Sequence, residues 1–139
     1  MLTFDTVWEK VINVSGYDNS ELPQTDNQIH QVINLGIDLY NKYANKYEGR
    51  LQGIIDYDND SESINLELDS TNLLILSYLI ASVIASNKVS EFTDVWSVFA
   101  KEAGITNYNA QVKARQERQH EFENKAISLI EDLIDSFDL

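Results

Sequence analysis

NYNAQVKARQERQHEFENKAISLIEDLIDSFDL, residues Asn107–Leu139, decides the fold: it contains neither Gly nor Pro, is polar in its first half and amphipathic in its second. Without either breaker of the backbone hydrogen-bond ladder, such a run propagates as a single helix. At about 1.5 Å per residue it extends roughly 50 Å, more than the core of a chain this size requires. From Gln111 to Glu121 only Val112 and Ala114 are apolar. Phe122, Ala126, Leu129, Ile130, Leu133, Ile134 and Phe137 then recur at helical spacing. This stripe is expected to pack on a core helix or on a neighbouring subunit. Lys113, Arg115, Arg118 and Lys125 hold four of the ten basic residues, offset by Glu117, Glu121 and Glu123. Glu117, Arg118 and Glu121 read as a salt-bridged exposed face. Glu131, Asp132, Asp135 and Asp138 crowd the helix C-terminus, where acids oppose the macrodipole at roughly a few tenths of a kcal/mol each. A basic partner would relieve that cost.

Upstream, Leu73 to Ala85 is apolar on almost every side, behind the capping residues Asp69, Ser70 and Thr71. Thirteen residues are too few for a bilayer core of about 30 Å, so this reads as the central core helix and no membrane is expected. A separate fourth helix is expected after Asn87-Lys88, with Phe92, Val95, Trp96, Phe99 and Ala103 inward and Gly104 as its stop. Near the start, Phe4, Val7, Trp8, Val11 and Ile12 form a short amphipathic helix ended by Ser15-Gly16. Tyr17 to Thr25, with the only proline, Pro23, reads as a loop. Asp26 is expected to cap a second helix, with Ile29, Val32, Ile33, Ile37, Tyr40, Ala44 and Tyr47 on one face and Gly36 permitting close approach of another helix. Gly49 and Gly53 stop it. Residues 54–57 and 64–68 then pair as a small β-hairpin across a polar turn. The expected architecture is mainly α: a bundle of about five helices in one domain, residues 1–139, with an acidic loop or hairpin at 48–69 and a long C-terminal helix at 107–139.

Composition narrows the function. Forty-three per cent hydrophobic residues support a real core, and the absence of cysteine excludes disulfide scaffolds, thiolate metal sites and cysteine nucleophiles. The start lacks the basic and apolar runs of a signal peptide, which argues against export. A net charge of -13 argues against gripping nucleic acid through its phosphates. Asp56, Asp58, Asp60 and Glu67 match oxygen-ligand positions of a calcium loop, but Ser61 replaces the turn glycine and Gly49 and Gly53 remove the entering helix. A solvated acidic turn is the expected reading. His30 and His120 lie on separate helices and no nucleophile elbow or phosphate-cradling loop is present, so neither enzyme activity, a cofactor nor a metal is expected. Tyr43, beside the main stripe of its helix, and Tyr108, at the start of the long helix, are candidate interface residues.

The layout, and in particular ELDSTNLLILSYLIASVIASN (Glu67–Asn87) with NYNAQVKARQERQHEFENKAISLI (Asn107–Ile130), resembles the head-to-tail adaptor, or connector, proteins of tailed bacteriophages. That resemblance implies a homo-oligomeric ring, commonly of twelve copies, in the virion neck between the portal protein and a tail-proximal neck protein. DNA would pass through the channel without specific binding. Arg115 and Arg118 would make polar contacts between subunits or with the portal, and Phe122, Leu129, Ile130, Leu133, Ile134 and Phe137 would supply apolar ones. The amphipathic end from Phe122 to Phe137 reads as helix packing, unlike a loose docking tail, so which end meets the portal is left open. The alternative is an acidic phage-encoded inhibitor or DNA mimic that binds a host nucleic-acid enzyme.

Overall fold

A two-residue strand opens the chain: β1, Leu2–Thr3, runs straight into helix α1, Phe4–Ser15. Thr3 serves both, because its side-chain oxygen accepts the Thr6 N–H at 3.3 Å and so caps the helix its backbone leads into. Phe4, Val7 and Val11 are buried along one face, as their spacing requires. The helix closes on Gly16 at φ 68°, a left-handed conformation that a Cβ would strain. The computed structural model describes the backbone of residues 2–102 and 108–137, and the side chains of 2–95 and 108–133.

Helix α2, Asp26–Lys46, is capped one residue earlier than expected: Thr25 Oγ1 accepts the Gln28 N–H at 3.2 Å, and Asp26 sits in the first turn. Val32, Ile33, Ile37, Tyr40 and Ala44 are buried on its inner face. Gly36 lies against Ile80: a Cβ there would collide with that side chain and come within 3.1 Å of the Ile80 Cα. The small residue therefore sets the distance between α2 and the helix behind it.

That helix is α3, Ser70–Glu102, and it corrects the expectation of five helices. It runs through Asn87-Lys88 without interruption. Nothing between Gly53 and Gly104 breaks a helix, and one Asn costs only about half a kcal/mol of propensity, so a polar pair marks a change of exposure and not a boundary. With α4, Tyr108–Phe137, the described residues form four α-helices, and a single 3-10 turn at Asn19–Glu21 lies in the loop between the first two. Ile75, Leu76, Leu79 and Ile80 are fully buried among α1, α2 and α4. Ser70–Val95 is by length and composition apolar enough to cross a membrane, and 56% of that stretch is buried inside the protein. The expected inward positions Trp96, Phe99, Ala103 and Gly104 lie outside the described side chains.

The hairpin is smaller than expected and belongs to a three-stranded antiparallel sheet, ordered β1-β3-β2, with β2 at Tyr57–Asp58 and β3 at Ser63–Ile64. Ile64 pairs with Leu2 on one side and Tyr57 on the other, and is itself buried. All seven acids of the 48–69 segment are exposed. Side-chain amides hold this loop in place of a longer ladder. Asn41 accepts the Ile55 N–H at 2.8 Å and donates to its carbonyl at 3.0 Å. The buried Tyr40 hydroxyl donates to Asn72 Oδ1 at 2.6 Å, while Asp69 Oδ1 accepts the Asn72 N–H at 2.8 Å and caps α3. Burial holds the Tyr40 phenol up at about 12.

Candidate functional site: a cationic cleft at the root of a helical arm

The two long helices form an antiparallel hairpin. Arg115 of α4 lies over Phe92 of α3, Ala81 and Ala85 pack on Phe122, and Lys125 lies over Tyr78, so the chain directions oppose each other. Along α4 the inward positions Tyr108, Val112, Arg115, Gln119, Phe122, Ala126, Leu129 and Leu133 alternate in steps of four and three. That is the seam of an antiparallel coiled coil. Among the described residues, buried side chains are confined to its lower part: none from Ser86 to Glu121 is buried. The upper part is an arm. From Ser86 to Glu102, α3 continues for about 25 Å past Ala85, its last buried residue among those described.

At the root of the arm the end of α1 meets α4. Arg118 donates to the Ser15 carbonyl at 2.7 Å, satisfying an acceptor of the last turn of α1 with a cation at the negative end of its dipole. Its guanidinium also lies 5.0 Å from the Tyr17 ring centre and 5.1 Å from that of Phe122. Lys88 approaches Tyr17 from the α3 side at 5.0 Å. Arg115 sits 4.0 Å over Phe92, which also stacks on the ring of Tyr108 at 5.7 Å. Burial raises the Tyr17 phenol pKa, and Arg118 pulls it partly back by hydrogen bond and charge. Tyr17, Lys88, Phe92, Arg115 and Arg118 border an open cleft of about 540 Å³.

Lys88, Arg115 and Arg118 thus converge in a protein of net charge -13, and no carboxylate among the described residues lies within ion-pair distance of any of them. Glu21 and Glu91 border the cleft too, but Glu21 Oε1 accepts the Asp18 N–H at 3.1 Å. Aromatic faces attract cations without neutralising them, so three cations against the two carboxylates Glu21 and Glu91 leave the described lining with a small positive excess. Among the described residues its lining brings no histidine, serine or threonine beside those two carboxylates.

The structure separates the candidate interface residues into two sets. Arg115, Arg118 and Tyr108 gather at the arm; Arg118 is exposed as expected, but its guanidinium turns to α1 and its aromatic neighbours and makes no ion pair among the described residues. Lys113 and Glu117 do pair on the surface at 4.0 Å, a contact worth about half a kcal/mol at most. Phe122 and Ile130 are buried in the protein's own core, Leu129 and Leu133 are packed against it, and Tyr43 bonds Glu123 at 3.4 Å, so these five hold the monomer together. The side chains of Ile134 and Phe137 lie outside the described residues. Sequence reasoning did not single out Tyr17 or Lys88. Their signal was weak: one lay in a loop and the other at a supposed helix boundary.

In the acidic turn Asp58 Oδ1 accepts the Asp60 and Ser61 N–H groups at 2.9 and 3.3 Å, which commits it to the turn. Among the described residues no group of three or more His, Asp or Glu converges in a way that would hold a metal ion. His30 packs edge-on to Phe4 at 5.4 Å, with Glu62 at 3.8 Å from its Nε2, while His120 is exposed on α4.

The sequence profile of the YomZ prophage protein family matches residues 1–135, nearly the whole chain. The chain belongs to the YomZ prophage protein family. It is 28% identical over 114 residues to an uncharacterized SPbeta prophage-derived protein, YomZ, of Bacillus subtilis (strain 168), with 82% of each chain covered. No solved structure matches it. Family membership assigns the protein a phage origin, and the cleft and arm are therefore features of a phage-encoded helical protein.

Proposed function

We propose that this YomZ-family protein is a structural adaptor of the phage particle. It assembles as a ring in the neck, joins the portal protein to the tail-proximal neck protein and lets DNA pass without specific binding. It performs no catalysis. The observation that carries the reading is the arm: two helices project as a hairpin past the last buried residue, and the cations at its root have no carboxylate partner among the described residues. A helix pair that continues past the core gains little burial from its described residues, 86–95 and 108–121, unless a partner covers it. Phage origin and strong acidity fit the same role, because a negative lining lets DNA slide where fixed phosphate contacts would hold it.

The test is a copy count by quantitative mass spectrometry on particles sedimented after prophage induction. Roughly a dozen copies per capsid are expected, as for closed rings of cyclic symmetry. Absence from particles, with the protein soluble beside one host nucleic-acid enzyme, removes the adaptor reading and favours an acidic inhibitor.

A further inference from the structure

We infer that the cationic cleft binds the acidic turn Asp56–Glu62 of a second copy of this chain, making a head-to-tail contact between neighbouring subunits. The inference rests on the ring reading and names the contact that would close such a ring.

Three observations carry it. The first is charge: Lys88 and Arg115 at the cleft lack carboxylate partners among the described residues, while Asp56 and Asp60 project from an exposed turn of the same molecule. Three of the ten basic side chains meet at this cleft, which gives an acidic protein a surface complementary to its own acids, and such complementarity sets register and orientation in an interface. The second is order: the turn is a shaped ligand, held by the Asp58 side chain, by pairing of β3 to β1 and by the Glu62 carbonyl, which accepts the Phe4 N–H at 2.8 Å. Docking it forfeits little conformational entropy.

The third is geometry. The turn is anchored at the first residue of α1 and the cleft at the last, and the twelve-residue helix between them is about 18 Å long. A rigid helix prevents the turn from folding back into its own cleft, so the contact forms between molecules. Two different patches on each copy then meet, which is the heterologous arrangement that closes into a ring when the rotation permits.

The experiment is a charge swap followed by sedimentation velocity at low salt. One variant reverses the cleft, Lys88→Glu with Arg115→Glu; the other reverses the turn, Asp56→Lys with Asp60→Lys. Arg118 is left intact because it holds α1. Each variant alone is expected to self-associate at least about tenfold more weakly than wild type, since like charges then face each other. An equimolar mixture is expected to co-assemble at wild-type strength, which neither unfolding nor a change of total charge would produce. Circular dichroism checks that both variants fold, and the turn variant touches no core residue. If either variant self-associates like wild type, or the mixture stays monomeric, the cleft contact is overturned and the ring reading stands. Wild type that is monomeric in solution yet present at about a dozen copies per particle also overturns the contact alone. Wild type absent from particles removes both.

Discussion

Arg118 illustrates how one side chain in this protein performs several tasks. Its guanidinium satisfies the Ser15 carbonyl at the end of α1, lies beside Tyr17 and Phe122, and contributes charge to the cleft. A planar, permanently charged fork suits this combination, and an ammonium would supply the charge without the stacking. Arg118→Ala is expected to destabilise the protein by roughly 1.5 kcal/mol, within the range for a hydrogen bond to a charged donor. Arg118→Lys should recover only part of that loss. Urea denaturation measures both, and a second readout separates position from charge: the Tyr17 phenol, raised by burial and pulled back by Arg118, should titrate higher still in the alanine variant. An unchanged Tyr17 titration by NMR would show that Arg118 does not face the ring.

Between elements, the crossing of α2 and α3 rests on the absence of a side chain at Gly36. In an isolated helix Ala would be favoured over Gly by about 1 kcal/mol. Here the added methyl meets Ile80, which is fully buried on the opposite helix and has no free direction in which to move. Gly36→Ala is therefore expected to lower stability by about 2 kcal/mol net, the range for overpacking a close-packed interior. Combining it with Ile80→Ala, which removes the Cγ1 that the new methyl meets, should cost less than the sum of the two single changes. Strict additivity of the two costs in chemical denaturation would show that the helices do not meet there. The same principle explains α3: tertiary contact and an unbroken run carried the helix through Asn87-Lys88, where local polarity alone suggested a boundary.

For the whole molecule, stability should fall along the hairpin. The lower parts of α3 and α4 share the main core with α1 and α2, whereas from Ser86 to Glu121 no described side chain is buried. Local opening requires less free energy where burial is sparse. Amide hydrogen exchange of the unassembled protein is therefore expected to be at least about tenfold faster in Ser86–Asp94 and Asn109–Glu121 than in Ile75–Ile84 and Phe122–Ile130. Assembly with the proposed partners should slow the arm and leave the core unchanged. Uniform protection along both helices in the free protein would mean that the arm needs no partner.

The readable features in the chain were those governed by neighbours in sequence: the inward faces of α1 and α2, the exposure of the acidic turn, the special role of Gly36 and the uninterrupted last helix. Periodicity, capping residues and the distribution of Gly and Pro act within a few residues, so a linear reading captures them. Other features depend on distant segments. β1 became a strand because β3 lies beside it, two residues being too short to show alternation. The last helix extended beyond the core, yet much of its apolar stripe went to α3 of the same molecule, since α3 had matching length and an antiparallel course. The cleft drew Tyr17 from a loop, Lys88 from mid-helix and Arg115 and Arg118 from the last helix. Burial and charge convergence depend on which surfaces meet in space, and that proximity is created by packing helices whose residues are up to 103 positions apart.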